Sequence, residues 1–282
     1  MFGAHCSIAG GLHNALLSAE KYGMETVQIF SKNQQQWKCK PLEDCAIKDW
    51  AAHQKRLKFK KTVSHDSYLI NLAATNPEFW RKSVELFVEE LRRCELLGIP
   101  YLVTHPGAHM GEGEEKGLVK VAAALDVIHV QLPGAKTVTC LEITAGQGSC
   151  LGHRLEHLAE IIARVKEPKR LGVCLDTAHL FAAGYDFRGR KYAKFRKELE
   201  KTVGLKRVKV WHLNDSKKAL GSRVDRHDHI GRGLIGIEGF KPIVNDQAWE
   251  STPKILETPK AKDEQGRDWD EVNLETLRSL VR

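Results

Sequence analysis

Val208-Lys209-Val210-Trp211-His212-Leu213 is a short apolar run that leads into Asn214-Asp215-Ser216-Lys217 and then into Asp225-Arg226-His227-Asp228-His229-Ile230-Gly231. The run reads as a strand with a histidine at its end. The loop beyond it carries an Asp-x-His pair and glycine. One ligand-type residue at a strand end is an accident that any chain of this size supplies. The reading gains weight only if the rest of the chain repeats the pattern.

It does. Apolar, β-branched runs at Phe2–Cys6, Thr26–Ser31, Lys61–His65, Tyr101–His105, Thr137–Ile143, Leu171–Asp176, Val208–Leu213 and Pro253–Glu257 alternate with helical stretches. The helices are expected at Leu12–Tyr22, Leu42–Lys58, Pro77–Leu97, Lys116–Gln131, Arg154–Val165, Ala193–Val203, Ile237–Asn245 and Asn273–Leu280. Gly98-Ile99-Pro100 and Pro168 mark joints between them. Eight βα units in 282 residues imply the α/β class and a (β/α)8 TIM barrel, one domain over 1–282.

In a TIM barrel the active site lies at the C-terminal ends of the strands. Here the strands end with His5, Ser31, His65, His105, Glu142, Asp176, His212 and Glu257, and the last six of these are the good ligands for a divalent metal. Side chains alternate along a strand, so Val63, Val103, Cys140, Cys174, Val210 and Ile255 share faces with the last six strand-end residues. Those apolar partners are expected one layer deeper in the barrel, with the ligands pointing into its mouth.

Composition narrows the setting. The chain has 42% apolar residues, enough for a sizeable core. No apolar run approaches the roughly 18 residues of a membrane span. Met1-Phe2-Gly3-Ala4-His5 enters a strand at once, without the basic-then-apolar layout of a signal peptide. The seven cysteines include no CxxC pair, which points to a reducing, intracellular compartment and a cytoplasmic protein. A net charge of +8 suits an anionic partner, although it serves plain solubility equally well. Lys32, Lys217, Lys218, Arg223, Arg226 and Arg232 lie on the strand-end loops, where a phosphate ligand would meet them. No GxGxxG fingerprint or Walker loop is present, so no nucleotide cofactor is expected.

Glu142, Asp176, His212 and Glu257 fall on four consecutive strands, and carboxylates with an imidazole suit Zn²⁺ or Mn²⁺. His65 and His105 add nitrogen donors. His179 follows Asp176 by three residues, a spacing that returns it to the same side of a helical turn. Asp225 and His227 add two more donors on a loop. His53, His129, His153 and His157 read as solvated helix residues, His13 as a helix-start residue, and His109 and His229 stay open. Two loops carry exposed-type aromatics and aliphatics: Ser31 to Trp37, and His65 to Asn71 with Tyr68 and Leu69. Such residues either wedge into a base stack or pack beneath the loops, and the sequence leaves both readings standing.

Taken together, these motifs resemble the endonuclease IV family of apurinic/apyrimidinic endonucleases along essentially the whole chain. The matching stretches are Gly3-Ala4-His5, Lys32-Asn33-Gln34, His65 to Leu72, His105-Pro106-Gly107, Thr144-Ala145-Gly146-Gln147-Gly148, Asp176-Thr177-Ala178-His179, His212 to Gly236 and Leu256-Glu257-Thr258-Pro259. The resemblance implies a barrel with three Zn²⁺ per chain. By position, His65, His105 and Glu142 would hold the first ion, and Glu142, Asp176, His212 and Glu257 the second. His179, Asp225 and His227 would hold the third. Glu142, Glu257 and His179 are the expected catalytic residues. Asn33, Gln35, Trp37, Tyr68, Leu69 and Arg226 are the expected DNA contacts. The implied activity is hydrolysis of the phosphodiester 5′ to abasic sites in double-stranded DNA, leaving a 3′-hydroxyl and a 5′-deoxyribose phosphate. Removal of 3′ blocking groups is implied as well, by a chain acting as a monomer away from membranes. Two positions depart from the pattern: Ile143 stands where the family commonly has Asn, and Gln35 where some members have Arg.

A second reading shares the barrel. Sugar isomerases and epimerases use two carboxylates, a histidine and a further Glu around one divalent ion, and Glu142, Asp176, His212 and Glu257 satisfy that requirement too. The five further ligand-type residues and the basic loops have no part in such a site.

Overall fold

The computed structural model describes residues 1–282. Eight strands, β1 (Phe2–His5), β2 (Thr26–Phe30), β3 (Val63–His65), β4 (Tyr101–Thr104), β5 (Val138–Glu142), β6 (Leu171–Asp176), β7 (Val208–His212) and β10 (Lys254–Leu256), close into a barrel. Each pairs in parallel with its neighbours, and β1 joins β10 to seal the ring. Helices α1 (His13–Lys21), α2 (Asp44–Arg56), α3 (Pro77–Leu97), α4 (Glu114–Gln131), α5 (Leu155–Arg164), α6 (Thr177–Ala183), α7 (Tyr192–Thr202), α8 (Ile237–Val244) and α9 (Trp269–Ser279) surround it. The expected TIM barrel is the observed fold. No helix is long and apolar enough to cross a membrane.

The local causes are visible in α3. Asn76 caps it by accepting the Phe79 N–H at 3.0 Å, and Pro77 occupies the first turn, where its missing N–H costs nothing. Gly98 ends it at φ 64°, a left-handed conformation that glycine adopts without strain. Packing then divides into two layers. Most buried apolar side chains lie between the sheet and the helices. Inside the barrel, Val63, Val103, Cys140, Cys174, Val210 and Ile255 form a separate cluster, all fully buried. These are the six positions that strand alternation places beneath the ligand-type strand ends, so the mouth of the barrel rests on a dry floor.

Two segments carry more structure than periodicity reveals. The first is α6, whose seven residues are too few to show a helical period. It forms because Asp176 Oδ1 accepts the His179 N–H at 2.8 Å and Gly184 closes the other end at φ 106°. The second is the stretch after β7, where β8 (Asp215–Ser216) pairs antiparallel with β9 (His227–Asp228). The buried Asp215 carboxylate accepts the N–H groups of Gly231 and Ile235, each at 2.9 Å. A Cβ on Gly233 would stand 2.5 Å from Asp215 Oδ1, which explains glycine there. The glycine-rich turn from Gly231 to Gly236 is therefore a nest of N–H groups for the protein's own carboxylate.

Candidate metal centre

Glu142, at the end of β5, is fully buried and sits at the centre of the barrel mouth. Its Oε2 lies 3.1 Å from His65 Nε2 and 3.3 Å from His105 Nε2. Its Oε1 lies 2.9 Å from His212 Nδ1 and 3.3 Å from His179 Nδ1. His212 Nδ1 is also 3.0 Å from Glu257 Oε2 and 3.9 Å from Asp176 Oδ2. On the far side of Asp176, His227 Nε2 lies 3.7 Å from Asp176 Oδ2, and Asp225 reaches His179 Nε2 and His227 Nε2 at 3.2 Å each. The donor atoms form three overlapping groups: His65, His105 and Glu142; Glu142, Asp176, His212 and Glu257; and Asp176, His179 and His227. Glu142 links the first group to the second, and Asp176 links the second to the third.

Backbone and side-chain partners orient these donors. His65 Nδ1 faces the Asp66 carbonyl at 3.0 Å, His179 Nδ1 the Ile143 carbonyl at 2.9 Å, and His227 Nδ1 the Glu257 carbonyl at 3.3 Å. A carbonyl only accepts, so each Nδ1 carries a proton, and each Nε2 is the nitrogen turned to the carboxylates, where a metal ion would take the place of its proton. Metal-binding histidines are oriented in this way. His227 Nε2 is buried without a hydrogen-bond partner, because Asp225 lies near it but out of line. That orphaned atom, facing two carboxylates, fits a cation between them.

The charges balance only with positive partners. Burial opposes the ionised form of every group here, yet the facing groups outweigh it. Asp66 and Glu142 lift His65 well above the usual histidine range, and Asp176, Asp225 and Glu142 do the same for His179. His212 and His105 hold Glu142 well below the carboxylate range, and His212 and His5 do so for Glu257. Protons on imidazoles fill the role that divalent ions would take.

Comparison with known proteins follows the same line. Residues 16–280 match the family described as xylose isomerase-like TIM barrel. A relative called probable endonuclease 4, from Chloroflexus aurantiacus, is 50% identical over 282 residues, covering 100% of this chain and 98% of its own length. The crystal structure of endonuclease IV from Thermus thermophilus superposes with a TM-score of 0.86 at 37% identity, over 99% of this chain and 98% of that one. The chain belongs to the endonuclease IV family. A D-psicose 3-epimerase from Clostridium cellulolyticum, at 12% identity and a TM-score of 0.68, shares the fold alone.

For an endonuclease IV family member, the loops around the mouth are as telling as the donors. A cleft of about 570 Å³ opens beside His105 and His179, walled by Tyr68 and by the Thr144–Gly148 turn, with Asp225 and Arg226 at its edge. Tyr68 is 69% exposed, with its ring edge-on to Phe30, whereas Leu69 is half-buried on the core. Asn33 and Gln35 are exposed, as are Lys217, Lys218, Arg223, Arg226 and Arg232. Trp37 is half-buried and packs edge-on against Phe79 at 5.3 Å, which makes it a support of the loop.

Lys32 departs from expectation. It is only 4% exposed, and its Nζ donates to the carbonyls of Asn33 at 2.9 Å and Gln36 at 2.7 Å. It braces the loop from within instead of facing a phosphate. His129, His153 and His157 are likewise buried, not solvated. His157 belongs to the apolar face of α5, where its Nδ1 accepts the Gly152 N–H at 3.2 Å. Glu114, His153 and His157 make a further group of ligand types, but Arg154 places Nη2 2.9 Å from His157 Nε2 and 3.3 Å from Glu114. The guanidinium takes the place a metal ion would occupy.

Residue-type reasoning passed over Gln28, Asn214 and Asp66. Asn214 Nδ2 donates to Asp176 Oδ2 at 2.6 Å while its Oδ1 accepts the Glu257 N–H at 2.7 Å, so one amide ties two donors together. A polar residue within or just beyond an apolar strand, such as Gln28 in Thr26-Val27-Gln28-Ile29-Phe30, was the available signal.

Proposed function

We propose that this endonuclease hydrolyses the phosphodiester 5′ to abasic sites in double-stranded DNA, leaving a 3′-hydroxyl and a 5′-deoxyribose phosphate, and that it also clears blocked 3′ ends. The observation that carries this reading is the run of donor groups from Glu142 through Asp176 to His179 and His227, which continues well past the four residues of a one-metal isomerase site. The donors mix imidazole nitrogen with carboxylate oxygen, a set that favours tightly held Zn²⁺ over Mg²⁺. Zinc bound there, three ions per chain, would supply Lewis acidity and a nucleophilic water near neutral pH.

The chain's own residues do the rest. His65, His105 and Glu142 hold the first ion, Glu142, Asp176, His212 and Glu257 the second, and His179, Asp225 and His227 the third. Glu142, Glu257 and His179 border the reacting phosphate. Tyr68 and Leu69 wedge into the base stack where a base is missing, since unstacking costs least at a damaged position. Asn33, Gln35 and Arg226 meet the phosphate backbone and set its register.

The test is incubation with duplex DNA bearing one abasic site, with mapping of both ends. Incision should be abolished by strong chelation and should not be restored by Mg²⁺. Activity of the zinc-stripped protein with Mg²⁺ alone would sink the reading. The isomerase alternative leaves His179, Asp225 and His227 without a task, and nothing in the site favours it.

A further inference from the structure

We propose that Gln28 is a positioning residue that decides which nitrogen of His212 faces the metal centre and holds Glu257 beside it. The inference rests on the metal reading of the site given above. Gln28 lies in the middle of β2, fully buried, between apolar residues that pack outward. Its side chain points into the barrel mouth. Its Nε2 lies 2.6 Å from Glu257 Oε1 and 3.0 Å from His5 Nδ1, and its Oε1 lies 2.8 Å from His212 Nε2.

Glu257 fixes which way the Gln28 amide is turned. An ionised carboxylate only accepts hydrogen bonds, so the atom of Gln28 that faces it must be the NH₂. The amide oxygen is thereby turned toward His212. An amide oxygen also only accepts, so His212 Nε2 must carry a proton. Without a metal, Nδ1 also carries a proton, donated to the carboxylates that it faces, 2.9 Å from Glu142 and 3.0 Å from Glu257. With Nε2 tied to Gln28, Nδ1 is the nitrogen whose proton a metal ion would replace.

His212 thus differs from its neighbours. His65, His179 and His227 are oriented by backbone carbonyls and turn Nε2 to the centre. His212 turns Nδ1, and only a side chain sets that choice. Both amide hydrogens and the amide oxygen of Gln28 are engaged, so a change of residue disturbs His212 and Glu257 together.

Gln28→Leu keeps the bulk and removes both hydrogen-bonding functions. Gln28→Glu keeps an acceptor for His212 but sets a second carboxylate against Glu257. Metal-stripped parent and variants are titrated with ZnCl₂ against a chromogenic chelator. Gln28→Leu should bind one of its zinc ions about 10- to 100-fold more weakly than the parent, the usual cost of losing an outer partner of a metal ligand. Long-range ¹H–¹⁵N spectra of the zinc-loaded proteins report the tautomer. The parent and Gln28→Glu should show His212 protonated at Nε2, and Gln28→Leu should lose that single state. Gln28→Glu should still bind zinc more weakly, through displacement of Glu257.

A Gln28→Leu protein with parental zinc affinity and an unchanged His212 signal overturns the proposal, even if its melting temperature falls, because that result makes Gln28 a packing residue. If Gln28→Leu does not fold, parental zinc affinity in Gln28→Glu overturns it alone. A parent that takes up no zinc removes the metal reading and this inference with it, a result distinct from a tight-binding variant.

Discussion

At the residue scale, His227 and Glu90 make separable predictions. His227 stands on β9, outside the core, with an unpartnered Nε2 directed at Asp176 and Asp225. His227→Ala should leave the fold intact and remove one metal ion. Elemental analysis of dialysed protein should read about three ions in the parent, from the trinuclear ligand set, and one fewer in the variant. Incision should fall by orders of magnitude, because a Lewis-acid contact is worth several kcal/mol and each ~1.36 kcal/mol is tenfold in rate. A parent holding one ion, unchanged in the variant, would promote the isomerase reading. Glu90 lies deep under the second strand loop. Its carboxyl accepts from Ser31 Oγ at 2.7 Å, and burial pushes its pKa up to about 7. Between the ordinary carboxylate pKa and 7 the folded protein binds the extra proton, so Glu90 lowers stability as pH rises through that window. Glu90→Gln abolishes that contribution. Urea unfolding should therefore show the variant gaining on the parent between pH 5 and pH 8. An equal difference at both pH values would mean that Glu90 is not protonated in the fold.

At the scale of elements, the two loops proposed to meet DNA are built differently. The loop after β3 presents Tyr68 openly, whereas Leu69 is partly spent on packing. Tyr68→Ala combined with Leu69→Ala should weaken cleavage of abasic duplex and leave zinc content unchanged. Parental cleavage by the double variant would make both residues loop packing. The loop after β2 depends on Lys32, which holds two carbonyls and lies 3.8 Å from Glu90. Lys32→Met leaves the loop carbonyls of Asn33 and Gln36 without their donor and should cost about 2 kcal/mol of stability. It should not alter the salt slope of DNA binding, because Lys32 reaches no phosphate. Arg226 is exposed at the mouth, and Arg226→Ala should lower that slope by about 1. Binding isotherms across a salt series, beside urea melts, separate the bracing lysine from the arginine proposed to meet phosphate.

At the scale of the molecule, the barrel explains why so many donors from distant parts of the chain meet. Parallel closure brings the C-terminal ends of all eight strands to one rim. Below the rim lies the cluster of Val63, Val103, Cys140, Cys174, Val210 and Ile255, a dry floor that keeps the carboxylates in low dielectric. There they interact strongly with whatever positive charge is present. The third donor group needs more than the barrel. It draws on α6 for His179 and on the β8–β9 hairpin for Asp225 and His227, and these additions extend the four-residue cluster into a longer chain of donors.

The amino-acid sequence alone determined the barrel, its floor and the residues at its rim. Strand alternation has a period of two, and strand ends face the mouth, so position along a strand is enough to assign Val63 to the floor and His65 to the rim. Local patterns cannot say what faces a side chain across the barrel, and there the tertiary structure decided. Lys32 reads as a surface cation until Glu90, on the third helix, is seen beside it. His157 reads as a solvated helix residue until α5 turns that face inward. Gln28 reads as an oddity within an apolar strand until Glu257 and His212, more than 180 positions away, close on its two ends. Hydrogen-bond direction is a property of facing pairs, and only the closed barrel makes the pairs.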